Sequence, residues 1–257
     1  MGAYIRSAFG RFAVPSSADA GDVADYVFLT TPTGHRLSLT GETLAESPDI
    51  RDVLHRLSWH VNTTAMRTCT DLLVVHAGAV ATPTGSGVML PGRSGSGKTS
   101  LVAALVRAGW GYLSDEAGAI DPVTRRLCPY PRELSIKPGM FEDFADRVEP
   151  DQGFPISSRE WLVAPETLRA DPLGGPSDVD VIVFLEPAPG APTRVTPLSP
   201  ARSVAALMEH VSNREVWGAR ALTVLAEVAA GARSYSLQTG RPDAAVRAVL
   251  ELAAGDA

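Results

Sequence analysis

Apolar and polar residues recur along this chain with two periods, and the changes of period outline its elements. Tyr26 to Thr40, YVFLTTPTGHRLSLT, alternates on either side of Thr33-Gly34 and predicts a hairpin. Ile50 to Cys69 carries its apolar side chains at helical spacing and predicts one helix. Leu72 to Val80 (LLVVHAGAV) and Val88 to Leu90 predict buried strands joined by the turn TPTGSG. TSLVAALVRAG reads as an amphipathic helix, and GYLSDEAGAIDP as a strand that delivers acids and turns at Asp121-Pro122. Pro129 to Phe144 reads mostly as loop, with a short strand at ELSIK. Glu149 to Pro176 holds five prolines and reads as a surface excursion. Val179 to Leu185 (VDVIVFL) is a further buried strand. Helices are predicted over Ala201–Glu209, Ala219–Ala230 and Ala244–Ala253, with SYSLQTG a short strand between the last two.

Strands alternating with helices predict an α/β fold. Residues 71–257 form its main domain, and residues 1–70 are either a small lobe or the edge of one sheet. No internal repeat is present. A length of 257 residues suits one large domain or one domain with a small appendage. With 45% hydrophobic and 20% charged residues the composition is that of an ordinary globular chain. The net charge of −6 argues against a general nucleic-acid binder, which would present a basic face. Cys69 and Cys128 have neither metal-ligand spacing nor a disulfide framework, which fits a reducing cytoplasm. No apolar run reaches the roughly 18 residues of a membrane span. The start MGAYIRSAFGRFAV lacks the continuous apolar stretch of a signal peptide and places Ser7 out of register for myristoylation.

The chemistry concentrates between the strand at Val88 and the helix that follows it. Gly92, Arg93, Ser94, Gly95, Ser96, Gly97, Lys98 and Thr99 fit the pattern G-x-x-x-x-G-K-[ST]. Glycines there can take positive φ and turn backbone N–H groups toward an anion, and the helix N-terminus adds its dipole. Lys98 can reach the β- and γ-phosphates, and the Thr99 hydroxyl can ligate Mg²⁺. Ser100, in the first helical turn, completes the expected nucleotide-contacting set.

Phosphoryl transfer to a hydroxyl also needs a second metal contact and a base for the proton. The strand after the helix ends in Ser114, Asp115 and Glu116. A helix and a short strand bring the chain back beside the phosphate loop in a parallel sheet, so this acid pair can divide the two tasks. Asp121 is the turn former of its Asp-Pro pair. His76 lies within an apolar strand, where a histidine is commonly a satisfied core or edge residue.

Taken together, these residues resemble the catalytic domain of the HPr kinase/phosphorylase family. That family runs from a strand bearing His-Gly through a hairpin, G-x-S-G-x-G-K-S and a helix ending in Arg-Gly or Ala-Gly, to V-A-D-D. Here the same order reads His76-Ala77-Gly78, Gly92 to Thr99, Ala108-Gly109, and Leu113-Ser114-Asp115-Glu116. The wording LPGRSGSGKTSL…GYLSDE is similar to the kinase homologues of peptide-natural-product clusters, lasso-peptide kinases among them. The resemblance spans residues 72 to 121. It implies a P-loop core of the type shared with phosphoenolpyruvate carboxykinase, a mixed central sheet flanked by helices. It also implies His76 as the activating histidine, Asp115 as the general base and Glu116 as the neighbouring acid, with ATP and Mg²⁺ as cofactors.

Where that family carries L-E-I-R-G-L-G, this chain reads Leu134-Ser135-Ile136-Lys137-Pro138-Gly139. The metal-associated glutamate is replaced by Ser135 and the arginine by Lys137, which puts phosphorylase activity and HPr as a substrate in question. The sequence thus predicts a cytoplasmic ATP- and Mg²⁺-dependent kinase acting on a serine of a peptide or small protein. Asp115, His76 and Lys98 would be catalytic, and Thr99, Glu116 and Asp115 would surround the metal. No nucleic acid or membrane partner is expected, and a homo-oligomer is compatible with the sequence. A kinase of a small-molecule hydroxyl and an ATP-hydrolysing switch are the alternatives. For the switch, the acid would follow the strand VDVIVFL as Glu186.

Overall fold

Apolar residues at helical spacing and alternating apolar residues bury one stripe or one face each, so the elements fold only by covering one another. The computed structural model describes residues 2–12, 25–137, 153–157 and 160–255. In chain order the elements are α1 (Gly2–Phe9), β1 (Tyr26–Thr31), β2 (Gly34–Leu39), β3 (Glu42–Ser47), α2 (Ile50–Thr68), β4 (Leu73–Ala81) and β5 (Gly87–Pro91). They continue with α3 (Lys98–Arg107), β6 (Gly111–Ser114), β7 (Ala117–Ile120), β8 (Arg126–Cys128), β9 (Leu134–Ile136), β10 (Gly153–Ser157), β11 (Glu160–Val163) and β12 (Ser177–Pro187). β13 (Arg194–Leu198), α4 (Pro200–Glu209), α5 (Arg214–Trp217), α6 (Arg220–Gly231), β14 (Arg233–Thr239) and α7 (Pro242–Ala254) complete the chain. Among the described residues no helix is long and apolar enough to cross a membrane.

The chain divides into two units, Met1–Ala65 with Ser135–Ala164, and Met66–Leu134 with Pro165–Ala257. In the first, β1, β2 and β3 form an antiparallel meander over Leu37, Val53 and Leu57. β10, β11 and β9 make a second small sheet, and Leu162 packs with Tyr4 and Leu54. β3 answers to no expectation from the sequence: Thr43 and Glu46 interrupt its apolar positions, and pairing with β2 supplies what patterning does not. The expected surface excursion contains β10 and β11; its residues 149–152 and 158–159, like residues 138–144 of the expected loop, lie outside the described residues.

The second unit is built on a mixed sheet in the order β13-β14-β12-β5-β4-β7-β8, with β6 also paired to β4. β12 runs parallel to both β5 and β14, whereas β4 is antiparallel to β5, β6 and β7. Helices cover both faces. Leu73, Val75, Ala77 and Ala79 of β4 pack with Leu207 of α4 and Ala221, Val224, Leu225 and Val228 of α6. On the other face Gly78 lies under α3, where an added Cβ would meet Val102 Cγ2 at 2.7 Å, so glycine lets helix and strand approach this closely. α7 packs against α3 on that side. Period-two alternation puts His76 on the α3 face with Gly78.

One expected placement is corrected. The acid-bearing strand β6 does not lie beside β5, the strand that leads into the glycine-rich loop, because β4 occupies the position between them. β6 still runs in the direction of β5, one strand removed. The hairpin β4–β5 explains this: an antiparallel partner joined by a tight turn claims the adjacent edge before α3 can return the chain. The GYLSDEAGAIDP segment is also two strands, β6 and β7, broken at Asp115-Glu116.

Candidate active site

β5 ends at Pro91, and the chain then crosses to α3 through Gly92–Gly97. Gly95 and Gly97 take φ of 81° and 89°, in the left-handed region that side chains rarely adopt. The Ser96 N–H donates to the Arg93 carbonyl at 3.1 Å, tightening the turn. Gly97 caps α3 without any side-chain hydrogen bond, so the first N–H groups of the helix keep the anion-binding capacity of an uncapped N-terminus. Ser96 Oγ is buried without a hydrogen-bond partner among the described residues. A Cβ on Gly92 would lie 2.5 Å from it. Uncapped amides and an orphaned hydroxyl on one loop fit an oxygen-rich anion such as a polyphosphate. Arg93 and Ser94 are exposed at the loop's tip, and Ser100 is half-buried behind it.

Lys98 is buried and folds back, its Nζ donating to the carbonyls of Gly92 at 2.7 Å and Arg93 at 2.9 Å. The next residue reaches the acid: Thr99 Oγ1 donates to Asp115 Oδ2 at 3.0 Å. Asp115 is 2% exposed. Its other oxygen, Oδ1, lies 3.2 Å from the Tyr112 hydroxyl and 3.8 Å from Arg132 Nε. The Tyr112 hydroxyl also lies 2.9 Å from the Arg132 carbonyl. Burial, then the Asp115 charge, push the Tyr112 hydroxyl well above its ordinary value, so it remains a protonated donor.

The two acids are aimed differently by one turn. Ser114 Oγ accepts the N–H groups of Glu116 at 3.2 Å and Ala117 at 3.0 Å, breaking β6 from β7. Asp115 is thereby buried against the loop, whereas Glu116 is part-exposed and ion-paired with Arg132 Nη1. Arg132, 8% exposed, faces both carboxylates.

His76 stands on β4 between these groups. Burial lowers its pKa to about 4, helped by the charges of Lys98 and His210 and opposed by Asp115; the imidazole is neutral at pH 7. His210 arrives by a separate route. Past Pro91, β5 no longer pairs with β4, and residues 210–212 take over that edge. The His76 N–H donates to the His210 carbonyl at 2.7 Å, and the Ser212 N–H to the Val74 carbonyl at 2.8 Å. Asn213, 1% exposed, fixes the segment. Its Oδ1 accepts the Val74 N–H at 3.0 Å, and its Nδ2 donates to the carbonyls of Cys69 at 2.9 Å and Leu72 at 2.8 Å. Burial and the Lys98 charge lower the pKa of His210 as well.

Lys98, Thr99 and Asp115 thus form one hydrogen-bonded group with the glycine-rich loop, with His76 beside them. Among the described residues no three His, Cys, Asp or Glu side chains are grouped as a metal-binding cluster, so a metal here would need Thr99 and phosphate oxygens as well as Asp115. Lys137 is exposed in the first unit. Tyr112, Arg132, His210 and Asn213 were not expected. The charged pair Arg132-Glu133 among the prolines and apolar residues of PYPREL is the sequence's one signal for Arg132. A cavity of about 620 Å³ opens from Gly92–Ser96 along the end of β12 and the side of α4.

No protein-family model matches the chain, and no curated protein matches it. Among solved structures it is similar to the HPr(Ser) kinase/phosphatase from Coxiella burnetii, at 12% sequence identity and a TM-score of 0.34. That likeness covers 71% of this chain and 95% of the other.

Proposed function

We propose that the protein is a kinase that uses ATP and Mg²⁺ to phosphorylate a hydroxyl, the acceptor being a serine of a peptide or small protein. The observation that carries this reading is the 3.0 Å hydrogen bond from Thr99 of the phosphate loop to the buried carboxylate of Asp115. A loop suited to phosphates and an acid joined to its metal-facing hydroxyl are the parts that phosphoryl transfer requires. The order of His76, Gly92–Thr99 and Asp115-Glu116, with its resemblance to HPr kinase/phosphorylase, supports the same assignment.

ATP supplies the phosphoryl group, and Mg²⁺ neutralises charge on its oxygens. The N–H groups opening α3 and the Lys98 ammonium hold phosphate oxygens. Thr99 would offer an oxygen lone pair to the metal while its O–H keeps donating to Asp115 Oδ2. Asp115 takes the acceptor's proton as the new O–P bond forms and the bond from the γ-phosphorus to the bridging oxygen breaks. Neutral His76 orients the reacting groups by hydrogen bonding without adding charge. Glu116, held by Arg132, is a second carboxylate at the edge of the metal position. Ser135 and Lys137, in place of the bifunctional family's glutamate and arginine, favour a kinase without phosphorylase activity.

Incubation with radiolabelled ATP, Mg²⁺ and a serine-peptide library tests the reading. Transfer of label to peptide, abolished in Lys98→Ala together with nucleotide binding, supports it. A nucleotide-hydrolysing switch is the second reading, favoured by Glu186, which lies next to last in β12, the parallel neighbour of β5, and borders the cavity. Phosphate release that no hydroxyl acceptor alters would favour the switch.

A further inference from the structure

The cavity beside the phosphate loop has a wall whose chemistry the transfer itself does not require. Arg202, Ala206 and Glu209 of α4 all border it. Their spacing of four and then three residues puts them on one helical face. Arg202 and Glu209 are both exposed, and neither has an ion-pair partner among the described residues. Between them Ala206 leaves room for a chain to lie along the helix. Seven residues of helix separate the two charges by about 10 Å along its axis. The floor is apolar, formed by Phe184 and Leu198.

The cavity's end nearest the chemistry is identifiable. Lys98 Nζ bonds the carbonyls of Gly92 and Arg93, and a phosphate-loop lysine reaches the β- and γ-phosphates. The cavity opens from these same residues, so it lies at the γ end of the loop. α4 runs toward that end, because His210, which follows Glu209, gives its carbonyl to His76. Glu209 is therefore near the reacting groups and Arg202 remote from them.

We propose that this cavity is the acceptor subsite, and that Glu209 and Arg202 select a peptide of mixed charge. A basic side chain beside the phosphorylated serine pairs with Glu209, and an acidic side chain about three residues away pairs with Arg202. The spacing follows from a polyproline-II chain, whose three residues per turn and rise of about 3.1 Å put side chains three residues apart on one face, about 9 Å apart, against the roughly 10 Å between the charges. That span exceeds a single amino acid, so a peptide fits where a free zwitterion does not. The inference rests on the kinase reading for its meaning, and its test separates the two.

Capped peptides with the core Lys-Ser-Ala-Asp, and its reverse Asp-Ala-Ser-Lys, are compared with the charge-exchanged cores Asp-Ser-Ala-Lys and Lys-Ala-Ser-Asp. Binding is measured with a non-hydrolysable ATP analogue and Mg²⁺, and phosphorylation with ATP. Two part-exposed ion pairs predict a preference of about tenfold in Kd and KM for one of the first two peptides over its charge-exchanged partner. The double exchange Arg202→Glu with Glu209→Arg should reverse that preference and leave nucleotide affinity unchanged. Arg202→Gln with Glu209→Gln, a milder change at the same exposed positions, should erase it. Transfer that ignores peptide charge, or a preference that survives both pairs of substitutions, overturns the subsite and leaves the kinase reading intact. Charge-selective binding that reverses on exchange but yields no phosphopeptide supports the subsite and overturns the kinase reading.

Discussion

Thr99 and Asp115, brought together from the start of α3 and the end of β6, share a hydrogen bond of 3.0 Å from Oγ1 to Oδ2. This contact ties the start of α3, just after the glycine-rich loop, to Asp115 across the intervening strand β4. It makes the Thr99 hydroxyl and the Asp115 carboxylate parts of one group, so a change in either alters both.

Removing the hydroxyl should therefore be read through Mg²⁺. Thr99→Ala deletes the oxygen proposed to ligate Mg²⁺ and leaves Asp115 Oδ2 without this donor. The Mg²⁺ concentration for half-maximal transfer should rise, while Thr99→Ser, which keeps the hydroxyl, restores it. A titration of initial rate against Mg²⁺ checks this; an unchanged midpoint in Thr99→Ala removes Thr99 from the metal site.

His76 links the site to pH. Its pKa falls from 6.5 when unfolded to about 4 in the fold, chiefly through burial. Above pH 6.5 the ring is neutral in both states. As pH falls from 6.5 toward 4 the unfolded chain binds the proton and the native chain does not, so stability declines across that window. The melting temperature should fall more steeply there in the wild type than in His76→Asn. Parallel pH profiles for the two would contradict the assignment.

Asn213 holds residues 210–212 on β4 by bonding three backbone groups. Asn213→Ala leaves the Val74 N–H and two carbonyls without this side chain, which should cost about 1–3 kcal/mol. Denaturant unfolding measures the loss. Asn213→Asp separates the parts, since it can still accept from Val74 but cannot donate to Cys69 and Leu72.

The legibility of the site follows the distance over which each contact acts. Gly92–Thr99 is a local device: strand, glycine turn, lysine and helix adjoin in sequence, so pattern suffices to find the loop. β4, β5 and β12 announce themselves as apolar-rich runs because helices cover the sheet on both faces. β8 and β13 do not: Arg126 and Arg194 are exposed and only pairing makes these short segments strands. The position of β6 turned on which strand occupies the edge of β5, a competition that local pattern does not express. His210 and Asn213 were invisible for a related reason. Val74 and Asn213 stand 139 residues apart, and nothing near either residue names the other. Arg132 gave only the oddity of a charged pair in an apolar, proline-rich stretch.

The central claim is that Asp115 takes the proton from the acceptor hydroxyl, and Asp115→Asn tests it most directly. Asparagine keeps the shape, and its carbonyl oxygen can still accept from Thr99, so the loop and metal position are preserved while the base is lost. Single-turnover transfer from ATP to a serine peptide, measured beside Mg²⁺-ATP affinity, should give a rate lower by about 10²–10⁴-fold with a far smaller change in affinity. A folded Asp115→Asn protein that transfers at the wild-type rate would contradict the account.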